Sequence, residues 1–521
     1  MINDNSLAPA LAVSGSNVPQ AIEAQVLARK YLIIGTYDPA LTGVVAETPV
    51  RVFSPEDAGN QFGFGFMAHR LALKAFKGAP AAKIYIQPQA EAGGADAAVG
   101  SILIDVTAEV AGTAYFYIAG EKITVAIADT DAVADVATAL IAAINADKTL
   151  PVTALVNGTT AAQADLTAKS KCADYGNHIT VESNLYGETD PGTLAYTIAT
   201  MASGTTDPDI TTALDALGTG SAQNSDNYTD LVHGYGLIAA TLNAVSTYNG
   251  TADLEEGNFD DLVYKPMRSL NGDTVAGSAG LAALIVIGEA RKATDRTSGV
   301  IPVPGSASHP AEIAAQALGY MVTQNNNQAE LSYRGTILAG VHPGIMSERW
   351  TNDYSTGRDA AAQAGVSCTF VDGGIVLMQN ALTFYHPASV PVNSNAYRNM
   401  RNISIIQNIF YNTGLTFSSS EWTQFSIVTD KSKVSNSTSR ATAKSISSVI
   451  DTWIGIFTSF AANAWIADLQ FSLDALKETG AVTVRTGGNG FDTNPKFIFS
   501  GDGDIMDNQI EYDTSFAVLQ Q

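Results

Sequence analysis

The side chains best suited to metal ligation or general-base work at neutral pH are the six histidines, His69, His178, His233, His309, His342 and His386. None is paired at helical or turn spacing and no HExxH occurs, so the pattern predicts structural or surface histidines, not a zinc site. Gly-Lys-Ser, Gly-Lys-Thr and GxGxxG are all absent, which removes the usual phosphate cradles. Ser278 lies in Ala276-Gly277-Ser278-Ala279-Gly280, close to a nucleophile elbow, but Ala276 stands where the elbow needs glycine. A plain turn ahead of a buried strand is the expectation there. For a hydrolase, Ser278 or Ser306 would have to find a histidine partner. Asp502, Asp504 and Asp507 could face a calcium ion, yet no glutamate closes a twelve-residue loop, and such Asp/Gly clusters usually form turns. Cys172 and Cys368 are far apart and outside any CxxC, so both are expected to be small buried hydrophobes. No catalytic, cofactor-binding or metal-binding residue is predicted.

One local anomaly remains. Lys431, Lys433, Arg440 and Lys444 fall in fourteen consecutive residues without an acid, in a chain of net charge −23. Such a stretch suits a solvated helix start or a docking face for an acidic partner.

The elements that would position these residues follow from length and periodicity. At 521 residues the chain has material for several domains of roughly 150 residues. Charged residues make up 15%, below the usual ~25%, and the shortfall is in bases: 28 Lys and Arg against 51 Asp and Glu. A surface this negative repels phosphate backbones and anionic lipid, so neither nucleic acid nor membrane insertion is expected. The beginning, Met1-Ile2-Asn3-Asp4-Asn5, lacks the basic and apolar regions of a secretion signal, so retention in a cytoplasm is the expectation.

Residues 1–20 read as an extended arm, and the apolar run 31–35 as a strand buried on both faces. Ser54, Pro55, Glu56 and Asp57 spell a helix start for a segment reaching Ala75, with a second strand over 83–87. Strand, helix, strand predicts a parallel sheet. Residues 98–205 differ: twelve Asp or Glu, four Lys, no Arg and no Trp. Strands are expected there over 114–119, 123–128, 151–156, 179–182 and 194–201, with a helix over 131–146. Further on, the pattern predicts a helix over 210–217, strands over 281–288, 336–341 and 374–377, and a helix over 311–322 capped by Ser308 and Pro310. Helices over 397–411 and 441–464 follow. Ile510, Tyr512, Phe516 and Val518 share one parity, as in a terminal strand.

The inserted segment carries the most specific signal: AGTAYFYIAG over 111–120, the 133–146 helix, Leu150-Pro151-Val152-Thr153-Ala154, Leu166-Thr167-Ala168-Lys169, Gly176-Asn177 and Asp207-Pro208-Asp209-Ile210. This series resembles the inserted domain of phage tail sheath proteins of the Mu-like group. Ile33-Ile34-Gly35, Pro49-Val50-Arg51-Val52 and Phe62-Gly63-Phe64-Gly65 are similar to that family's opening core. Ala364-Gly365-Val366-Ser367, Asp372-Gly373-Gly374 and Leu382-Thr383-Phe384-Tyr385 are similar to its glycine turn and double-threonine region. Asn380 and Phe384 stand in place of the family's arginine and second threonine.

The resemblance implies an α/β, multidomain fold with a parallel-sheet core of subtilisin-related topology lacking an active site, an inserted α+β surface domain and extended terminal arms. The corresponding division is an arm at 1–20, core at 21–97, inserted domain at 98–205, core at 206–390, a carboxy-terminal core subdomain at 391–500 and an arm at 501–521. It implies a non-enzymatic tail sheath subunit that stacks as hexameric rings around a tail tube and contracts to drive the tube through a cell envelope. Implied partners are further copies of the chain, the tube protein, and baseplate and tail terminator proteins. The implied location is the virion tail, with assembly in a bacterial cytoplasm. Ile510, Tyr512, Phe516 and Val518 become candidates for contacts between subunits, and Lys431, Lys433, Arg440 and Lys444 for a face toward the tube. The alternative is a secreted surface-layer or adhesin protein, which would share the acidic, cysteine-poor composition but would need an export signal and a β-sandwich pattern.

Overall fold

The computed structural model describes residues 23–251, 256–259, 264–353, 356–387, 396–436, 439 and 442–501. The arm 1–20, Arg440, the Asp502, Asp504 and Asp507 cluster, and Ile510, Tyr512, Phe516 and Val518 lie outside the described residues. The chain divides into two compact units. One runs from 26 to 410, and the other holds 411–501 with the stretch ending at Gln25.

The larger unit is built on a six-stranded sheet in the order Ser298–Pro302, Arg268–Asp273, Asp230–His233, Lys30–Thr36, Lys83–Gln89, Val50–Val52. All neighbours pair parallel except the edge strand Val50–Val52, which is antiparallel. Tyr31, Leu32, Ile33 and Ile34 have no exposed surface, as a strand covered on both faces requires. Each such aliphatic side chain contributes about 1.5–3 kcal/mol on burial. Ser54 caps the first helix, Pro55–Phe62, by accepting from the Asp57 amide at 3.0 Å. The helical segment expected to run on to Ala75 is two helices, because Gly63 adopts φ +95° and ends the first before Met67–Gly78 begins.

The chain leaves this sheet after Lys83–Gln89 and rejoins it at Asp230–His233. In between lie a four-stranded antiparallel sheet and a three-stranded one. The four-stranded order is Ala195–Ala202, Val99–Val106, Gln163–Ala168, Val152–Val156, and the three-stranded order is Glu121–Ile127, Gly112–Ile118, Val181–Ser183. The helix Val133–Ala146 packs on both sheets. The apolar residues of this segment are continuous with those beneath the parallel sheet, in one core.

Four local expectations fail. The run 281–288 belongs to a helix, Gly277–Arg291, that buries Leu281, Leu284, Gly288 and Arg291 at helical spacing. An eight-residue apolar run suits either period, and the strands are instead the more polar Arg268–Asp273 and Ser298–Pro302. Residues 336–341 make a single bridge, Ile337 to Leu377. The helix Pro310–Asn327 starts after His309, and Ser308 Oγ accepts from the His342 amide at 2.9 Å instead of capping it. The expected 441–464 helix begins only at Ile446, because Ala443–Lys444 pairs with Ser426–Ile427.

The smaller unit packs the helices Ile446–Ala462 and Leu469–Ala475 with the hairpin Val482–Val484 and Phe491–Thr493. Aromatic rings fill it: Phe417, Trp422 and Phe425 follow one another at 5.1 and 5.8 Å between centroids. Among the described residues no helix is long and apolar enough to cross a membrane.

Candidate functional site

The basic stretch divides into two kinds of cation. Lys431 and Lys433 are exposed in the loop between Ser426–Ile427 and Ala443–Lys444. Lys444 is engaged within its own unit, its Nζ 4.7 Å from the centre of the Trp422 ring and 3.8 Å from Glu421 Oε2. The loop is also flanked by an acid, since Asp430 accepts from the Ser447 amide at 3.1 Å. The structure therefore leaves Lys431 and Lys433 exposed and withdraws Lys444.

Among the described residues neither serine hydrogen-bonds a histidine side chain. Ser278 sits in the first turn of the helix Gly277–Arg291, not in a turn before a strand. Ser306 Oγ donates to the main-chain carbonyl of His342 at 2.5 Å, while His342 Nδ1 accepts from the amides of Ala307 and Gly344, both at 3.3 Å. A nucleophile needs the imidazole nitrogen itself, and here that nitrogen faces the backbone. Cys172 and Cys368 are free and buried, and burial pushes the Cys368 thiol up to about 12. Among the described residues no group of three His, Cys, Asp or Glu side chains could hold a metal ion.

Sequence reasoning missed the buried charges, which hold the larger unit together. Arg70 and Glu312 form a two-pronged pair, Nε to Oε1 at 2.7 Å and Nη2 to Oε2 at 2.6 Å, between the helices Met67–Gly78 and Pro310–Asn327. The segment between the two parts of the parallel sheet closes around them. Tyr175 donates its hydroxyl to Glu312 Oε1 at 3.1 Å, the Thr149 carbonyl accepts from Arg70 Nη1 at 3.2 Å, and Glu121 takes Lys74 at 2.5 Å. Burial favours the neutral acid, but Arg70 and Lys74 outweigh it and hold the Glu312 carboxyl at about 2. His309, its ring tilted 38° to that of Tyr175 with centroids 4.1 Å apart, is pushed by burial down to about 4, and its Nε2 donates to the Tyr175 carbonyl.

A second cluster lies among the parallel strands. Asp230 accepts from Arg268 Nε at 2.7 Å and also faces Arg29 Nη1 at 3.9 Å. Arg268 continues to the Tyr333 hydroxyl at 2.7 Å, and Arg29 donates to Gln407 and Ser404. Burial, together with the neighbouring Arg268, draws the Arg29 guanidinium down to about 10. The available signal was scarcity. A chain with few bases that places Arg70 inside Leu- and Ala-rich helical sequence needs a buried acid to meet it.

Among the described residues neither candidate serine hydrogen-bonds a histidine side chain, and Lys431 and Lys433 are exposed. No protein-family model matches the chain. It is 35% identical over 191 residues to the Mu-like prophage FluMu tail sheath protein of Haemophilus influenzae. The chain resembles a Mu-like tail sheath protein. That alignment covers 36% of this chain and 38% of the relative's length. Solved structures with a similar course include the sheath tail protein of Desulfitobacterium hafniense, at TM-score 0.43 and 12% identity over 92% of this chain and 94% of that one. The PVC sheath complex of an extracellular contractile injection system, in its contracted state, gives TM-score 0.44 and 10% identity over 98% and 99%. The contracted helical sheath of the anti-feeding prophage gives TM-score 0.41 and 12% over 98% and 100%.

Proposed function

We propose that this chain is the structural sheath subunit of a contractile tail, polymerising as stacked hexameric rings around a tail tube and contracting to drive that tube through a cell envelope. The observation that carries the reading is the 35% identity over 191 residues to a tail sheath protein. On this reading the body is not an enzyme, its core follows the subtilisin-related topology, and residues 98–205 form the outward-facing inserted domain. That segment's twelve acids against four lysines suit a solvated surface. Its partners are copies of itself, the tube, and the baseplate and terminator proteins, and it is assembled in a bacterial cytoplasm before becoming part of the tail.

Two sets of residues divide the work. Residues 510–518 place Ile510, Tyr512, Phe516 and Val518 on one parity, so that a strand added to a neighbour's sheet would bury one apolar edge and satisfy its backbone groups. A head-to-tail contact of this kind extends into open helices instead of closing as a dimer. Lys431 and Lys433, with Arg440, form the face toward the tube. Lys444 contributes less, because Glu421 and Trp422 already hold it. Exposed ion pairs contribute only about 0.2–1 kcal/mol each, but repetition in every subunit along a tail makes the sum large. Truncation after Ser500 tests the reading. Sedimentation velocity should give a soluble monomer with the circular dichroism of the full chain, and a truncated protein that still assembles would show that the arm does not link the subunits.

A further inference from the structure

The helix Val133–Ala146 is rich in alanine, and Asn145, near its end, is a poorer helix former than the alanines around it. Its side chain has a specific use. The Asn145 amide donates from Nδ2 to the Ala154 carbonyl at 2.7 Å, and its Oδ1 accepts from the Ala154 amide at 3.0 Å. A residue on a neighbouring strand makes the same two bonds. Ala154 is the middle residue of Val152–Val156, the edge strand of the four-stranded sheet, and among the described residues no strand pairs with its outer side. The inner side is fixed by the Pro151 carbonyl, which accepts from the Lys169 amide at 2.8 Å, and by the Asn157 amide, which donates to the Gln163 carbonyl at 3.0 Å. Main-chain groups alternate in direction along an antiparallel strand, so Val152, Ala154 and Val156 turn theirs outward.

Such an edge invites a second strand. Residues 149–164 carry no charged side chain, and Leu155 and Val156 are 69% and 49% exposed. The edge is also its own complement. Two copies turned antiparallel about Ala154 would set Ala154 against Ala154 and Val152 against Val156, pairs that exchange main-chain bonds, with Thr153 against Leu155 between them. No like charges would meet on the two strands, although each chain carries a net charge of −23. We propose that this edge is a self-pairing surface for a second copy of the chain and that Asn145 keeps it shut, filling the central pair of bonds with its own amide. In an assembly that crowds many copies together, an open edge would tie neighbouring inserted segments to one another. The guard lies wholly within the inserted segment and is independent of the sheath reading.

The test mixes full-length chains carrying Thr153→Cys with full-length chains carrying Leu155→Cys and oxidises them, the native cysteines being buried. In the proposed pairing these two positions face each other with Cα atoms about 4.5 Å apart, within the reach of a disulfide. With Asn145→Ala on both chains, the mixture should give at least three times the cross-linked dimer of the mixture that keeps Asn145, and more than either cysteine variant alone. Asn145→Asp separates an open edge from a loosened one. It loses the bond to the Ala154 carbonyl and places a carboxylate at the helix end that disfavours it, so it should lower the melting temperature at least as much as Asn145→Ala. Its dimer yield should nonetheless stay at that of the parent, because a carboxylate from each copy would stand beside the pairing axis. Should Asn145→Ala fail to fold, Asn145→Ser, too short to span both Ala154 groups, takes its place with the same expectation. A yield unchanged by opening the edge in a folded variant overturns the proposal, and so does a yield from Asn145→Asp that equals that from Asn145→Ala.

Discussion

Replacing Glu312 by Gln keeps the shape of the helix contact and removes one charge, leaving Arg70 buried without its carboxylate. Removing one partner of a buried pair costs about 3–5 kcal/mol. The pKa of Glu312 gives a second route to the magnitude. Its ordinary value is 4.5 and the folded protein holds it at about 2, a difference equivalent to about 3 kcal/mol. A depressed carboxylate contributes this stability above pH 4.5 and loses it as pH falls through 4.5 toward 2. Urea denaturation followed by circular dichroism, at pH 7 and at successively lower pH, should show Glu312→Gln about 3 kcal/mol less stable at pH 7 and the gap closing below pH 4.5. Asp174 and Asp273, which burial raises to about 6, gain stability as pH falls through that value. The difference between the two proteins therefore isolates Glu312. The double variant Arg70→Met/Glu312→Leu, which removes both charges, should recover most of the loss. A gap of less than 1 kcal/mol at pH 7, or one that stays constant down to pH 3, would refute the reasoning.

Asp230→Asn leaves Arg29 and Arg268 facing each other without a carboxylate and should destabilise by about 3–5 kcal/mol in the same assay, whereas a change below 1 kcal/mol would mean that Gln407, Ser404 and Tyr333 suffice. Gly272→Ala would place its Cβ 1.8 Å from the Pro310 carbonyl oxygen, so the start of the helix Pro310–Asn327 must shift, and the melting temperature should drop by the equivalent of about 1–3 kcal/mol. Charge reversal at Lys431 and Lys433 should abolish co-sedimentation with the purified tail tube while leaving self-assembly intact, and unchanged co-sedimentation would move the tube-facing surface elsewhere.

The parallel sheet was legible where the sequence was apolar. Tyr31 to Ile34 could be buried nowhere but inside, and the cap at Ser54 is a local matter of one side chain and one amide. It was not legible where burial depends on partners. Arg268–Asp273 reads as polar, yet four of its residues are buried, with Asp230 and Tyr333 receiving the Arg268 guanidinium and the Gly299 carbonyl accepting from Asn271 Nδ2. The stretch 281–288 shows the converse, since an apolar octapeptide fixes burial but not period. The segment 98–205 was visible as a change of composition. Its union with the parallel-sheet body in one apolar core was not, because the contacts of Tyr175, Thr149 and Glu121 with Arg70, Glu312 and Lys74 span 47 to 137 residues of sequence. Among the basic residues, proximity in sequence did not predict fate. Lys444 turns onto Trp422 while Lys431 and Lys433 remain in solvent.

The central claim is that this chain builds a hollow polymer. Negative-stain electron microscopy of the purified full-length protein, concentrated alone and with its tail tube, tests it most directly. The account predicts cylinders of uniform diameter whose end views show six-fold symmetry and whose walls close around the tube. A protein that stays monomeric at every concentration, with and without the tube, or that forms flat two-dimensional sheets, would contradict it.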